Sequence, residues 1–68
     1  MTNTALLKEY IAKSGYKLSF IAKALGITAY ALSLKINNKN EFKANEIDIL
    51  CKLLSIGIRD RMRIFFAQ

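Results

Sequence analysis

Apolar residues recur at helical spacing along most of the 68-residue chain. In the first segment, Leu7, Tyr10 and Ile11 follow the i, i+3, i+4 spacing that places side chains on one face of an α-helix. Asn3, or the threonine on either side of it, can cap the start of this helix, and Gly15 can end it. The pattern therefore predicts a first helix between these two boundaries.

A glycine interrupts the next apolar pattern. The helical spacing returns from Leu18 to Leu25, and Gly26 follows at once. Glycine adopts the left-handed backbone conformation that residues with a Cβ resist, so Gly26 predicts a tight turn. A cap at Thr28 then predicts a third helix that runs to about Ile36. Two short helices joined in this way form a helix-turn-helix.

The second half of the chain predicts a fourth helix, followed by a final segment for which two conformations are possible. The asparagine-rich segment NNKNEF predicts a turn, and an apolar stripe from about Ala44 to Leu54 predicts the fourth helix. Lys43 occupies the position where Ser or Thr would ordinarily cap this helix, so we expect Asn45 or the backbone to substitute. The final segment, RDRMRIFFAQ, predicts either a short last helix or an extended tail.

These elements indicate an all-α fold class with four to five short helices. No period-two pattern bounded by turn residues predicts a strand, and no linker-like segment divides the chain. We therefore expect a single domain over residues 1–68, with the helix-turn-helix at about residues 18–36.

Composition narrows the function classes. Lys and Arg outnumber Asp and Glu by 11 to 5, which favours a polyanionic partner such as nucleic acid. Cys51 is the only cysteine, which predicts no disulfide and fits a reducing, cytoplasmic location. The chain has no histidine and no glycine-rich phosphate loop, so we expect that the protein is not an enzyme and has no metal site and no cofactor. No span, export segment or membrane-binding amphipathic helix is predicted.

The placement of charge is more informative than its total. Between Tyr10 and Asn40 the chain has five lysines and no acidic residue, so the positive charge coincides with the predicted helix-turn-helix. Lysines and helix N-termini bind DNA phosphates, and a solvated lysine face is the alternative explanation. The phosphate-binding candidates are Lys17, Ser19, Lys35 and Lys39, together with the amides near Ser19 and Thr28.

The segment LSFIAKALGITAYALSLKINNKNEFKANEIDILCKLLSI resembles the helix-turn-helix and following helix of the phage Cro and repressor family. The resemblance covers most of the chain and implies a dimeric regulator that binds double-stranded DNA at phage early or lysogeny promoters. It also implies base contacts from the exposed side of the third helix. The residues expected to contact DNA or a partner are Lys17, Ser19, Thr28, Ala29, Tyr30, Ser33, Leu34, Lys35, Asn37, Asn38 and Lys39.

The third helix departs from the family pattern at its base-reading positions. Family members often carry Gln, Arg, Asn or Lys there, whereas this chain has Ala29, Tyr30 and Leu34. Some small phage proteins of this fold are modulators of repression, or antirepressors, which bind a phage repressor and cover its DNA-binding surface. The apolar positions leave this protein partner as the alternative to DNA.

The end of the chain is the predicted site of homodimer contact. A single helix-turn-helix reads few base pairs, so useful specificity favours a dimer. The apolar residues Ile64, Phe65 and Phe66 are the first candidates for that contact, and ordinary closure of the core is the equal alternative.

Overall fold

A computed structural model describes residues 1–66 and contains five α-helices with no strand in that range. The helices are α1 (Thr4–Ser14), α2 (Leu18–Leu25), α3 (Ala29–Ile36), α4 (Ala44–Leu54) and α5 (Ile58–Phe65). The predicted all-α fold class is confirmed, and the final segment forms a helix rather than an extended tail. The last two residues of the predicted domain, 67 and 68, lie outside the described residues.

The predicted helix boundaries have clear local causes. The Asn3 side chain caps α1 by accepting a hydrogen bond from the amide of Leu6 at 3.1 Å. Gly15 and Gly26 end α1 and α2 with φ values of +75° and +74°, the left-handed region that glycine tolerates best. The Thr28 hydroxyl accepts from the amide of Ala31 at 3.0 Å and so caps α3.

All five helices contribute to one core. Each supplies one side chain that is fully buried, and these are Leu7, Ile21, Leu32, Leu50 and Ile64. Burial of an aliphatic side chain of this size contributes roughly 1.5–3 kcal/mol relative to its exposure to water. The helices therefore stabilise one another through a shared centre, which fixes the position of α3 relative to the rest of the domain.

Two expectations for the second half of the chain are corrected. Ile64 and Phe65, offered for a dimer contact with core closure as the equal alternative, are buried and close the core, because α5 turns that face towards the other helices. At the start of α4, neither Asn45 nor the backbone replaces the missing cap. The Glu46 carboxylate instead accepts a hydrogen bond from the amide of Lys43 at 2.9 Å.

The N-terminal residues fasten α3 to α5. The amide of Asn3 donates to the carbonyl of Ile64 at 2.7 Å, and the Thr4 hydroxyl donates to the carbonyl of Ile36 at 2.5 Å. The backbone of Thr2 exchanges two hydrogen bonds with the side chain of Asn38, at 2.7 and 2.8 Å. These bonds join segments that are far apart in the sequence, so the first four residues are an integral part of the fold.

Helix α1 also contacts α5 through a polar pair. The Tyr10 hydroxyl donates a hydrogen bond to Asp60, and this bond raises the pKa of Tyr10 because it favours the protonated phenol. The pair joins α1 to the first turn of α5.

Within residues 1–66, no single helix is long and apolar enough to cross a membrane. Helices α2 and α3 are long and apolar enough for a membrane span only when they are taken together, and they are bent by 96° across the break between them.

Candidate nucleic-acid interface

Helices α2 and α3 form a helix-turn-helix. They are bent by 96° relative to each other, within the range of crossing angles that this motif uses. The amide of Ile27 donates to the carbonyl of Ala22 at 3.0 Å, and Ala22 itself is buried where a larger side chain would separate the helices. Leu32 and the half-buried Ile27 hold α3 against the core, as predicted. The turn thus presents one side of α3 to solvent.

The outward side of α3 is short and mostly uncharged. Tyr30 is 74% exposed and Ala29 is also exposed, whereas Ser33 and Leu34 are half-buried. Eight residues at 1.5 Å per residue give a helix of about 12 Å, which matches the width of the DNA major groove. Tyr30 is therefore the side chain on α3 that extends furthest towards any partner.

The structure corrects the role predicted for Lys35. This lysine is only 8% exposed, and its Nζ lies 2.6 Å from Oε1 of Glu46, which is also buried. An ammonium group that is buried and paired in this way cannot reach a phosphate at the surface. Lys35 is a structural residue that joins α3 to α4, and it leaves the set of phosphate-binding candidates.

Glu46 is the centre of this buried polar site. Burial raises the carboxyl pKa, but hydrogen bonds from Lys35 and from the amide of Lys43, with the charges of both lysines, outweigh burial and lower the pKa. The ionised carboxylate thus accepts from two donors at once. In the folded protein it pairs with Lys35 and caps α4.

Two asparagines predicted to contact a partner have local structural roles. Asn38 adopts a left-handed conformation with φ of +63°, and its side chain bonds to the backbone of Thr2 and to the Thr4 hydroxyl. Asn37 lies at the end of α3, where its side-chain amide donates to the carbonyl of Ser33 at 2.9 Å. Both asparagines shape the end of α3, although both remain solvent-exposed.

Several basic and polar candidates remain accessible around the helix-turn-helix. Lys17, Lys23 and Lys39 are exposed, and so is Ser19 in the first turn of α2. Lys17 is the N-cap residue of α2 but makes no side-chain capping bond there. No side chain caps the first amides of α2, and an exposed lysine and an exposed serine lie beside them, an arrangement that suits an anion.

An exposed aromatic pair at the start of α2 was not among the predicted site residues. The rings of Tyr16 and Phe20 lie 4.9 Å apart between centroids, and Phe20 is 50% exposed. Leu18 beside them is also exposed. The i, i+4 spacing of two aromatic residues across a predicted helix start is the signal that could have indicated them. They form an apolar edge next to the basic surface.

The chain was compared with protein-family models, curated proteins and solved structures. No curated protein and no solved structure matches it. Within residues 1–66 no group of three or more His, Cys, Asp or Glu side chains is placed to hold a metal ion. Residues 3–68 match the model of a family described as a protein of unknown function (DUF739), and the chain belongs to that family.

Proposed function

We propose that the protein is a sequence-specific DNA-binding transcriptional regulator of the phage Cro and repressor type. It acts in the cytoplasm, as a homodimer, on early or lysogeny promoters. The observation that supports this proposal is that the outward-facing α3 lies within a segment, Tyr10 to Asn40, that has exposed lysines and no acidic residue. A DNA major groove matches both the dimensions of α3 and the sign of the surrounding charge.

In this proposal, base reading and phosphate binding fall to different residues. Ala29 can contact a thymine methyl group, and the Tyr30 hydroxyl can exchange a hydrogen bond with a base edge. Lys17, Ser19 and Lys39, with the first amides of α2, hold phosphates on either side of the groove. Phosphate contacts supply affinity and orientation, whereas the α3 contacts supply sequence preference.

The first experiment measures binding to random-sequence duplex DNA as a function of salt. With about three phosphate contacts per subunit, the logarithm of the binding constant should fall with the logarithm of salt concentration with a slope of about −2.7. Lys17→Gln should reduce the magnitude of that slope by about 0.9, whereas Lys52→Gln, on α4 outside the acid-free segment, should leave it unchanged. Binding that is insensitive to salt would contradict the proposal.

The second experiment tests base reading by Tyr30. Sequences selected from a random duplex library by the wild-type protein provide the specific site. Tyr30→Ala should weaken binding to the selected site by about 5- to 100-fold and leave binding to random duplex nearly unchanged. Tyr30→Phe is the matched variant, because it removes only the hydroxyl and separates hydrogen bonding from ring contact. Equal losses on both DNAs would place Tyr30 outside base reading.

The outward face of α3 also supports a second candidate function, the modulator of repression. Tyr30 is highly exposed, and Ala29 and Leu34 present no amide or guanidinium to a base. Aromatic residues of this kind are frequent anchors of protein interfaces. If a phage repressor is the partner, Tyr30→Ala and Leu34→Ala should each weaken that complex by about 1–3 kcal/mol. Selected DNA binding that survives both substitutions, with lost repressor binding, would favour this second function.

A further inference from the structure

The outward side of α3 offers methyl groups, an aromatic ring and hydroxyls to a DNA groove. Its residues follow one another at i, i+1, i+4 and i+5, the spacing of one helix face, and they are Ala29, Tyr30, Ser33 and Leu34. None of the four is buried, and the three buried residues of α3 lie on the other side of the helix. This face therefore carries no amide, guanidinium, ammonium or carboxylate group.

The polar side chains at the two ends of α3 bond to the helix itself. The Thr28 hydroxyl accepts from the amide of Ala31 at 3.0 Å, and the Asn37 side-chain amide donates to the carbonyl of Ser33 at 2.9 Å. Lys35 pairs with an acidic side chain inside the domain. Within the eight residues of α3, no side chain is therefore available for the bidentate contacts by which Arg, Lys, Asn or Gln distinguish guanine and adenine.

Thymine is the base whose edge fits such a face. Its C5-methyl group is the apolar group that a base presents in the major groove, whereas cytosine has no methyl group at that position. We infer that the specific site is recognised chiefly through thymine methyl groups, which pack against the Ala29 methyl group and the Tyr30 ring. This inference rests on the proposed DNA binding. Because the first residues of a recognition helix approach the base edges, the ligand is a duplex with thymines opposite the start of α3.

The number of buried methyl groups sets the degree of sequence preference. Removal of one methyl-sized group from water changes a binding constant by about fourfold. One thymine methyl against Ala29 and one against Tyr30 therefore give about a 15-fold preference for each subunit, and two half-sites give roughly 200-fold. This ratio lies below the value of about 10³ at which specific DNA recognition usually begins, as expected of a face without bidentate contacts.

Replacing thymine with deoxyuridine in the duplex tests the inference directly. Uracil lacks the C5-methyl group but keeps the base pair and the hydrogen-bonding groups of thymine. The thymines of the site that the wild-type protein selects from a random library are replaced one at a time, and binding is measured by fluorescence anisotropy. The dissociation constant should rise about fourfold at about one or two positions of each half-site and stay unchanged at the other thymines.

Ala29→Gly connects this effect to α3. The substitution removes the methyl group on the protein side, so at one position the thymine and uracil duplexes should bind this variant almost equally. Ala24→Gly is the matched control, because Ala24 is an exposed alanine of α2, and it should retain the fourfold difference. The two duplexes are compared within each variant, so a loss of helix stability affects both alike. Tyr30→Ser repeats the test at the neighbouring residue if Ala29→Gly does not fold.

The outcomes separate this inference from the proposed function. Undiminished affinity of the wild-type protein for the selected site with uracil at every thymine overturns the inference alone. Binding to random-sequence duplex should be the same with thymine and with uracil, because lysine contacts to phosphates need no methyl group. A library that yields no enriched sequence, or a chain that binds no random duplex at low salt, contradicts the proposed function and the inference with it.

Discussion

Replacing Lys35 with methionine should remove most of the free energy of unfolding of the protein, although the substitution removes no apolar contact. In the native protein the Lys35 ammonium lies 2.6 Å from the Glu46 carboxylate, and both side chains are almost fully buried. Methionine has a similar length and no charge. The variant therefore leaves the Glu46 carboxylate buried with only the amide of Lys43 as a donor.

The magnitude follows from the cost of an uncompensated buried charge. Removing one partner of a buried ion pair typically destabilises a protein by about 3–5 kcal/mol. A chain of this size has a core that supplies roughly the same amount of net stability. The expected loss thus equals most or all of the free energy of unfolding, and the melting temperature should fall below about 30 °C.

A second substitution should recover much of this loss. The Lys35→Met, Glu46→Leu double variant contains no buried charge, and apolar replacements of buried ion pairs are often neutral or stabilising. It still lacks the hydrogen bond to the amide of Lys43, a helix cap worth about 1 kcal/mol. We expect stability about 1 kcal/mol below that of the wild type. Lys39→Met is the matched control at an exposed lysine and should change stability by less than about 0.5 kcal/mol.

The same pair makes stability depend on pH in a defined direction. The folded-state pKa of Glu46 is below its usual value near 4.5, so the folded protein binds a proton there less readily than the unfolded chain. The stability that ionised Glu46 contributes is complete above the pKa that Glu46 has in the unfolded chain, and it is lost as the pH falls through the pKa of Glu46 in the folded protein. In Lys35→Met no ammonium group opposes the effect of burial on the Glu46 carboxyl. Protonation of Glu46 at low pH removes the buried charge and so stabilises the folded variant. The stability gap between wild type and variant should narrow from pH 7 to pH 4.

Urea denaturation followed by circular dichroism measures all four proteins at both pH values. The prediction is wrong if the free energy of unfolding of Lys35→Met lies within about 0.5 kcal/mol of that of the wild type, the range of ordinary surface substitutions. It also fails if the gap between them widens on acidification.

Two other substitutions test the turns on either side of α3. Gly26→Ala should cost about 1–2 kcal/mol, because the left-handed backbone resists a Cβ although no atom lies within 4 Å of it. Gly57→Ala, at an equally open glycine with ordinary φ, should change the melting temperature little, and equal effects would exclude strain as the cause. Asn38→Ala should release the N-terminal residues and cost about 1–2 kcal/mol. Hydrogen exchange should show faster exchange at the amide of Thr2, and unchanged exchange there would refute the role given to Asn38.

The helices around the turn were predictable because short-range signals specify them. Asn3, Gly15, Gly26 and Thr28 each act within four residues of their own position, through a cap or a left-handed backbone. Such effects can be recognised from residue type and spacing alone. The bend between α2 and α3 follows from the same local chemistry, so the architecture of the candidate site needed little tertiary information.

The structural role of Lys35 could not be predicted from the distribution of charge along the sequence. Its partner, Glu46, belongs to another helix, and only the packing of α3 on α4 brings them together. One sequence signal did point inwards, since Lys35 lies three residues after the buried Leu32. The division of α5 has a similar origin. Ile64 and Phe65 are buried and Ile58 is exposed, and the residues against which α5 packs belong to helices far away in the sequence.

The fastening of the first residues has a practical consequence for purification. Thr2 and Thr4 are hydrogen-bonded to Asn38 and Ile36, so a peptide attached before Met1 leaves the protein beside the end of α3. A histidine tag there would bring partly protonated imidazoles close to the surface proposed to bind phosphates. Its charge would add to the measured affinity for DNA and would vary with the pH of the buffer. Binding constants for this protein should therefore come from the tag-free chain.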